Sequence, residues 1–249
     1  MAIIKDCGIV LREYDAGESN KKLVLLTKNS GKVITFAKGS KRVGSKLSAD
    51  LFCYNEFIIF DGGDFLSLNQ ISPIRRFGNI PDDFSNYCIA CYLLEIVDSM
   101  ILPSMETADI LNLTLRGLHQ LSQGRMPATT VFAAFTFKFL QMEGFAPLTD
   151  SCIYCEKYLL NSSWLQSDGL VCDACAALQN NNGVYLSEQA KAALEYILTA
   201  KSENTFGFRA SPDVQEQLYN AANYFLAANV DTNFKSLAML KLMPILTPK

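Results

Sequence analysis

Leu51-Phe52-Cys53-Tyr54-Asn55-Glu56-Phe57-Ile58-Ile59-Phe60, Asp61-Gly62-Gly63-Asp64 and Phe65-Leu66-Ser67-Leu68 follow one another in the first third of the chain. The first run is rich in β-branched and aromatic residues, which suit a pleated strand. Asp-Gly-Gly-Asp is a hairpin signal, and the third run returns from it. Upstream, Lys32-Val33-Ile34-Thr35-Phe36-Ala37 follows an Asn29-Ser30-Gly31 turn. Earlier still stand the short β-rich runs Leu23-Val24-Leu25-Leu26 and Gly8-Ile9-Val10-Leu11. Five short strands in about 80 residues suggest a small closed barrel.

Downstream of Pro81 the period changes. Phe84, Cys88, Cys91, Leu94 and Ile101 recur at helical spacing up to Pro103. Ile110, Leu111, Leu118 and Leu121 form a second stripe that Gly124 ends. A third helix is expected over residues 127–141, with Gly144 as its stop. A cysteine-bearing loop at 150–183 interrupts the pattern, closed by Gln179-Asn180-Asn181-Asn182-Gly183. Helices resume at Ser187 and at Ser211, where Ser211-Pro212 fits an N-cap followed by proline at the first helical position. The reading is therefore α+β. A β domain spans residues 1–80, and a mainly helical domain spans 81–249 with an insertion at 150–183.

Cys152-x2-Cys155, sixteen intervening residues and Cys172-x2-Cys175 make the most specific motif of the chain. Each knuckle aims two thiolates at one point, and two knuckles complete a tetrahedron around zinc. Four protein thiolates leave no open position for a reactive water, so the expected metal is structural and its binding is coupled to local folding. Cys88-x2-Cys91 has the same spacing but lies in an apolar helical stripe with no second pair to join it, and reads as buried thiols.

The 249 residues are 49% hydrophobic, enough for a sizeable core. No run of about 18 uncharged apolar residues predicts a membrane helix. Met1-Ala2-Ile3-Ile4-Lys5-Asp6 lacks the features of a signal peptide, so a cytoplasmic location is expected. Eight cysteines in that reducing compartment point to metal or buried thiols rather than disulfides. Catalysis is not expected. His119 is the single histidine and sits between Leu118 and Leu121 as a structural residue. GxSxG, P-loop and dinucleotide fingerprints are absent. The Asp82-Asp83 pair stands at a helix start, where capping explains it.

Charge is unevenly spread. Residues 1–80 carry 12 Lys and Arg against 8 Asp and Glu, a net of +4, whereas residues 81–249 carry 10 against 17, a net of −7. Lys38-Gly39-Ser40-Lys41-Arg42-Val43-Gly44-Ser45-Lys46 places four cations in nine positions of a Gly/Ser loop. Arg12 is expected to end the first strand, Lys21 and Lys22 to begin the second, and Arg75 and Arg76 to stand past the last. Tyr54, Phe57, Phe60 and Phe36 would in part face outward as stacking platforms. Small barrels bind single strands with such a groove of cations and aromatics. Composition alone leaves this and a solvated loop over core aromatics both open.

Several stretches resemble the RecO family of bacterial DNA repair proteins. They are Gly8-Ile9-Val10-Leu11, Gly17-Glu18-Ser19, Leu26-Thr27, Gly31-Lys32, Ala37-Lys38-Gly39-Ser40-Lys41-Arg42, Ser45-Lys46-Leu47-Ser48-Ala49 and Glu56-Phe57. Gly144-Phe145-Ala146-Pro147-Leu148, Asp168-Gly169 and the two cysteine knuckles continue the likeness in order. The resemblance implies an OB-fold barrel followed by a helical domain with a four-cysteine zinc finger. It implies a nucleoid-associated recombination mediator of the RecF pathway, not an enzyme, which binds single- and double-stranded DNA and anneals complementary strands. With RecR, and in some cases RecF, such proteins help load RecA onto strands coated by single-strand binding protein, whose C-terminal tail they contact. Carried over by position, Lys38, Lys41, Arg42 and Lys46 are the expected DNA contacts, with Arg12 and Lys22 beside them. The family's last helical segment is usually richer in Arg, Lys and His than Tyr224-Phe225-Leu226-Ala227-Ala228-Asn229 is here. The rival from another class is a zinc-containing protein–protein adaptor without a direct DNA role.

Overall fold

The computed structural model describes residues 2–42, 45, 47, 50–63, 65–103, 105–180, 182–231 and 233–241. The chain forms two compact units, Met1–Ser122 with Phe234–Lys249, and Gln123–Asn233.

In the first unit, β1 (Ala2–Asp15), β2 (Lys21–Thr27), β3 (Lys32–Ala37), β4 (Cys53–Asp61) and β5 (Leu66–Arg76) close a barrel in the order β1-β2-β3-β5-β4. β4 then pairs back onto β1, which closes the sheet on itself. The pairing of β3 with β5 is parallel. β1 is long because its first half pairs with β4 and its second with β2. Gly8 belongs to both ladders, and a Cβ there would lie 2.1 Å from the Leu26 carbonyl oxygen. The ladder shifts register between Val10 and Arg12, a bulge that bends the strand around the barrel. Val10, Leu23, Leu25, Ala37, Phe57, Ile59, Leu68 and Ile71 fill the interior.

The barrel matches the expected five-stranded OB-like architecture, with three local corrections. Phe57 is wholly buried, because the alternation of β4 turns it inward with Asn55 and Ile59. Arg75 and Arg76 lie within β5 rather than past it, since the ladder continues through Tyr54–Arg75 and Cys53–Arg76. β1 also runs beyond Arg12, through Tyr14 opposite Lys22 and Asp15 opposite Lys21.

Helices α1 (Phe84–Met100), α2 (Ala108–Gln123) and α7 (Lys235–Lys241) accompany the barrel. Asp83 caps α1, its carboxylate accepting from Asn86 N at 2.8 Å. Cys88 is buried and Cys91 partly so, as expected for thiols on an apolar stripe. Thr107 Oγ1 donates to the Thr27 carbonyl at 2.6 Å, and the Arg75 guanidinium meets His119 Nδ1 at 2.9 Å. The Glu95 carboxylate accepts from Lys235 N, Ser236 N and Ser236 Oγ, satisfying the first turn of α7. Secondary structure turns over at residues 80–81, whereas contacts divide the chain at Ser122.

The second unit contains α3 (Ala128–Met142), β6 (Ser163–Leu165), β7 (Leu170–Val171), α4 (Asp173–Leu178), β8 (Val184–Leu186), α5 (Glu188–Thr199) and α6 (Pro212–Asn229). Its core is aromatic. Phe132 packs on Tyr219 and Phe137 on Phe225, joining α3 to α6. Ser187 and Ser211 cap α5 and α6 through side-chain acceptance, with Pro212 at the first helical position. Among the described residues, no helix is long and apolar enough to cross a membrane.

Candidate nucleic-acid interface and metal centre

The loop between α3 and β6 carries the first cysteine pair, and β7 leads into the second. Cys152 N donates to the Lys157 carbonyl at 2.9 Å, tightening the first knuckle, and Glu156 follows it with φ +58°. Ile153 N donates to the Leu170 carbonyl at 3.0 Å, which fastens this knuckle to β7. Gly169 permits the approach, because a Cβ there would lie 2.6 Å from the Leu148 carbonyl oxygen. Cys172 is the N-cap of α4, and Asp173 in the first turn accepts from Trp164 Nε1 at 3.0 Å.

These elements bring the sulfurs of Cys152, Cys155, Cys172 and Cys175 within 4.8 Å of one another. A regular tetrahedron with Zn–S bonds of ~2.3 Å has sulfurs roughly 3.8 Å apart. Cys155 Sγ and Cys172 Sγ are 3.8 Å apart. The electrostatics also suit a cation. Burial works to raise the Cys152 thiol, but the backbone N–H groups of Cys172, Cys155 and Tyr154 overcome it and bring the thiol down to about 6. Hydrogen bonds to Cys172 and Cys155, helped by burial, push Cys175 up to about 12. One favoured thiolate therefore opposes ionisation of its neighbour, and a bound cation removes that conflict. The donor set fits a four-coordinate metal ion.

On the barrel, register places one row of side chains around the outside. Cross-strand partners share a face, and the pairs Tyr14–Lys22, Lys22–Phe36, Phe36–Ser67, Ser67–Phe60 and Phe60–Ile3 run through every strand. All six are exposed or half-exposed, so three aromatic rings and a lysine face outward. One hollow of about 260 Å³ on this face is lined by Asn20, Phe36, Lys38 and Phe65. A second, of about 290 Å³, is lined by Tyr14, Lys22, Val24, Lys32, Ile34 and Asp98.

The cations singled out in the sequence do not all stand free. Lys38 is exposed, its ammonium 6.0 Å from the Phe65 ring centre. Arg42 is exposed in the turn after β3, and Lys22 sits in the outer row. No ion pair involves these three among the described residues. Lys41 pairs with Asp15 at 2.8 Å and donates to the Gly17 carbonyl at 3.2 Å. Arg12 pairs with Asp98 of α1 at 2.7 Å while its side chain stays 43% exposed. Lys46 lies outside the described residues. Two aromatic contributors to this face were missed, Tyr14 and Phe65. The alternation of β3, which turns Ile34 and Phe36 outward, was the available signal, but the partners that complete the face come from distant strands.

The chain's relatives agree with this architecture. Residues 1–77 match the family model described as Recombination protein O N terminal, and residues 81–238 match Recombination protein O C terminal. A DNA repair protein RecO of Acetivibrio thermocellus is 31% identical over 246 residues, 97% of each chain. That of Alkaliphilus metalliredigens is 30% identical over 244 residues, 96% of this chain and 99% of its own. That of Caldicellulosiruptor bescii is 33% identical over 181 residues, 70% of this chain and 73% of its own. Matched by the models of both halves of that family, and by two of these relatives over nearly their whole length, the chain belongs to the RecO family of DNA repair proteins.

Proposed function

We propose that the outer face of the barrel binds single- and double-stranded DNA, and that the chain anneals complementary strands as a recombination mediator rather than an enzyme. The observation that carries this is the row Tyr14, Lys22 and Phe36 across β1, β2 and β3, continued by Lys38 and Arg42 past the end of β3. Cations attract the phosphates without reading sequence, and exposed rings offer stacking surfaces. Cations held between two strands reduce the repulsion between their backbones, so complementary bases can meet. Lys41 and Arg12, each paired with an acid, would exchange that partner for a phosphate in the same proposal, and Lys46 is a further contact proposed from its sequence position.

Zinc is the proposed metal, held by Cys152, Cys155, Cys172 and Cys175, where it would cross-link the knuckles and neutralise thiolate charge. With RecR, the protein would help load RecA onto strands coated by single-strand binding protein, whose C-terminal tail it contacts, and RecF is a further partner.

The test is binding and annealing of labelled oligonucleotides across a salt series. Wild type is expected to lose affinity steeply with salt, with log K falling by about 0.7 per phosphate neutralised for each tenfold rise in salt on single strands. Lys22→Glu, Lys38→Glu and Arg42→Glu together should flatten that slope and suppress annealing. Absence of DNA binding at low salt would refute the proposal and favour the adaptor role. Elemental analysis is expected to find one zinc per chain, and none in a Cys152→Ser, Cys175→Ser variant.

A further inference from the structure

We infer that the hollow formed by Asn20, Phe36, Lys38 and Phe65 receives one unpaired nucleobase, and so distinguishes single strands from duplex. This rests on the reading of the barrel face as a DNA interface and names what one part of it recognises.

Four observations converge on a flat heterocycle attached to a phosphate. Phe36 and Phe65 are 37% and 51% exposed, although burial would be the favoured state for such rings. Their centres are 6.1 Å apart with planes at 82°, so one ring offers a face where the other offers an edge. An entering base can stack on one and meet the edge of the other. Lys38 lies at the outer limit of a cation–π contact with Phe65 and is exposed, so it can exchange that contact for a phosphate. Asn20 has its side-chain oxygen occupied by the Gly39 N–H at 2.8 Å, which leaves the NH2 end of the amide as the group it can offer. The site is thus an aromatic corner with one cation and one neutral donor. A carbonyl on the edge of a base suits that donor. A paired base has both faces covered by its stacked neighbours, so duplex DNA cannot fill the corner without unstacking.

The test compares a thymine oligonucleotide, whose bases carry two carbonyls each, with a duplex of equal length. Phe65→Leu and Phe36→Leu keep apolar bulk and remove the ring. Each is expected to weaken single-strand binding roughly five- to 150-fold at fixed salt. Duplex affinity should fall roughly fivefold less than single-strand affinity or not at all, the salt slope should stay unchanged, and Phe65→Trp should retain binding. The same variants on an oligouridylate show whether the base is supplied by DNA or RNA, since the strand that loses affinity is the source. Lys22→Glu with Arg42→Glu, which lie outside the hollow, tests the underlying reading separately. If that pair weakens both forms while Phe65→Leu and Phe36→Leu weaken neither strand, the base pocket is refuted and the interface stands. If the charge pair changes nothing either, the interface and the pocket fall together.

Discussion

Asp6 anchors the turn between β2 and β3, which Thr27 also closes by donating its N–H and its hydroxyl to the Gly31 carbonyl. Its buried carboxylate accepts from Asn29 N, Asn29 Nδ2, Ser30 N and Ser30 Oγ, and from Cys7 N beside it. Burial works to raise this carboxyl, but the Ser30 hydroxyl and the backbone N–H groups outweigh it and hold it below the ordinary 3.8. The native value is depressed, so the stability it contributes is complete above 3.8 and is lost as pH falls through the native value. Asp6→Ala should destabilise the protein by about 2–3 kcal/mol at neutral pH, because it orphans several donors at once. Denaturant titration checks this, and the gap from wild type should shrink below about pH 3.8. Glu156 offers the opposite case. Its φ of +58° strains a side chain bearing a Cβ, so Glu156→Gly should stabilise by about 1 kcal/mol, read as a higher Tm of the metal-loaded protein. Neither residue was legible in the sequence. A lone aspartate in a strand and a glutamate after a knuckle carry no pattern, and their meaning comes from partners or backbone angles that folding supplies.

Elements were legible where their signals are local. Asp83, Ser187 and Ser211 cap helices as their residue types imply, because a cap acts within four residues of itself. β6, β7 and β8 span two or three residues each, too short for a period to show, and escaped the reading. α7 escaped it too, since its first turn depends on Glu95, some 140 residues away in sequence. Attachment of α1 to the barrel is likewise non-local. The Asp98 side chain, only 8% exposed, pairs with Arg12 of β1 and with Lys32 of β3 at 2.9 Å. Lys32 also donates to the Asp98 and Ile101 carbonyls at the end of α1. Asp98→Ala should therefore cost about 3 kcal/mol, because it leaves two cations facing each other without their shared anion. Thermal unfolding measures it, and Asp98→Asn should recover part of the loss by keeping acceptors in place.

Over the whole molecule, the charge asymmetry and the metal motif both pointed to functions on separate units. The first unit carries the exposed cations Lys38 and Arg42, and the cysteine cluster lies entirely in the other unit. Stripping the proposed metal with a chelator should raise hydrogen exchange across residues 148–186 and leave the barrel strands protected, since the first knuckle is hydrogen-bonded to β7 within its own unit. Loss of protection in both units at once would show that the metal supports more than its own ribbon. The unit that begins the chain is completed by residues 234–241, whose first turn rests on Glu95, while residues 123–233 form the other unit between. On the ribosome, where domains usually mature in order of emergence, that order is reversed. The interior segment has all its parts first, whereas α1 of the leading unit gains the Phe234 ring beside Tyr92 only when the trailing helix is translated.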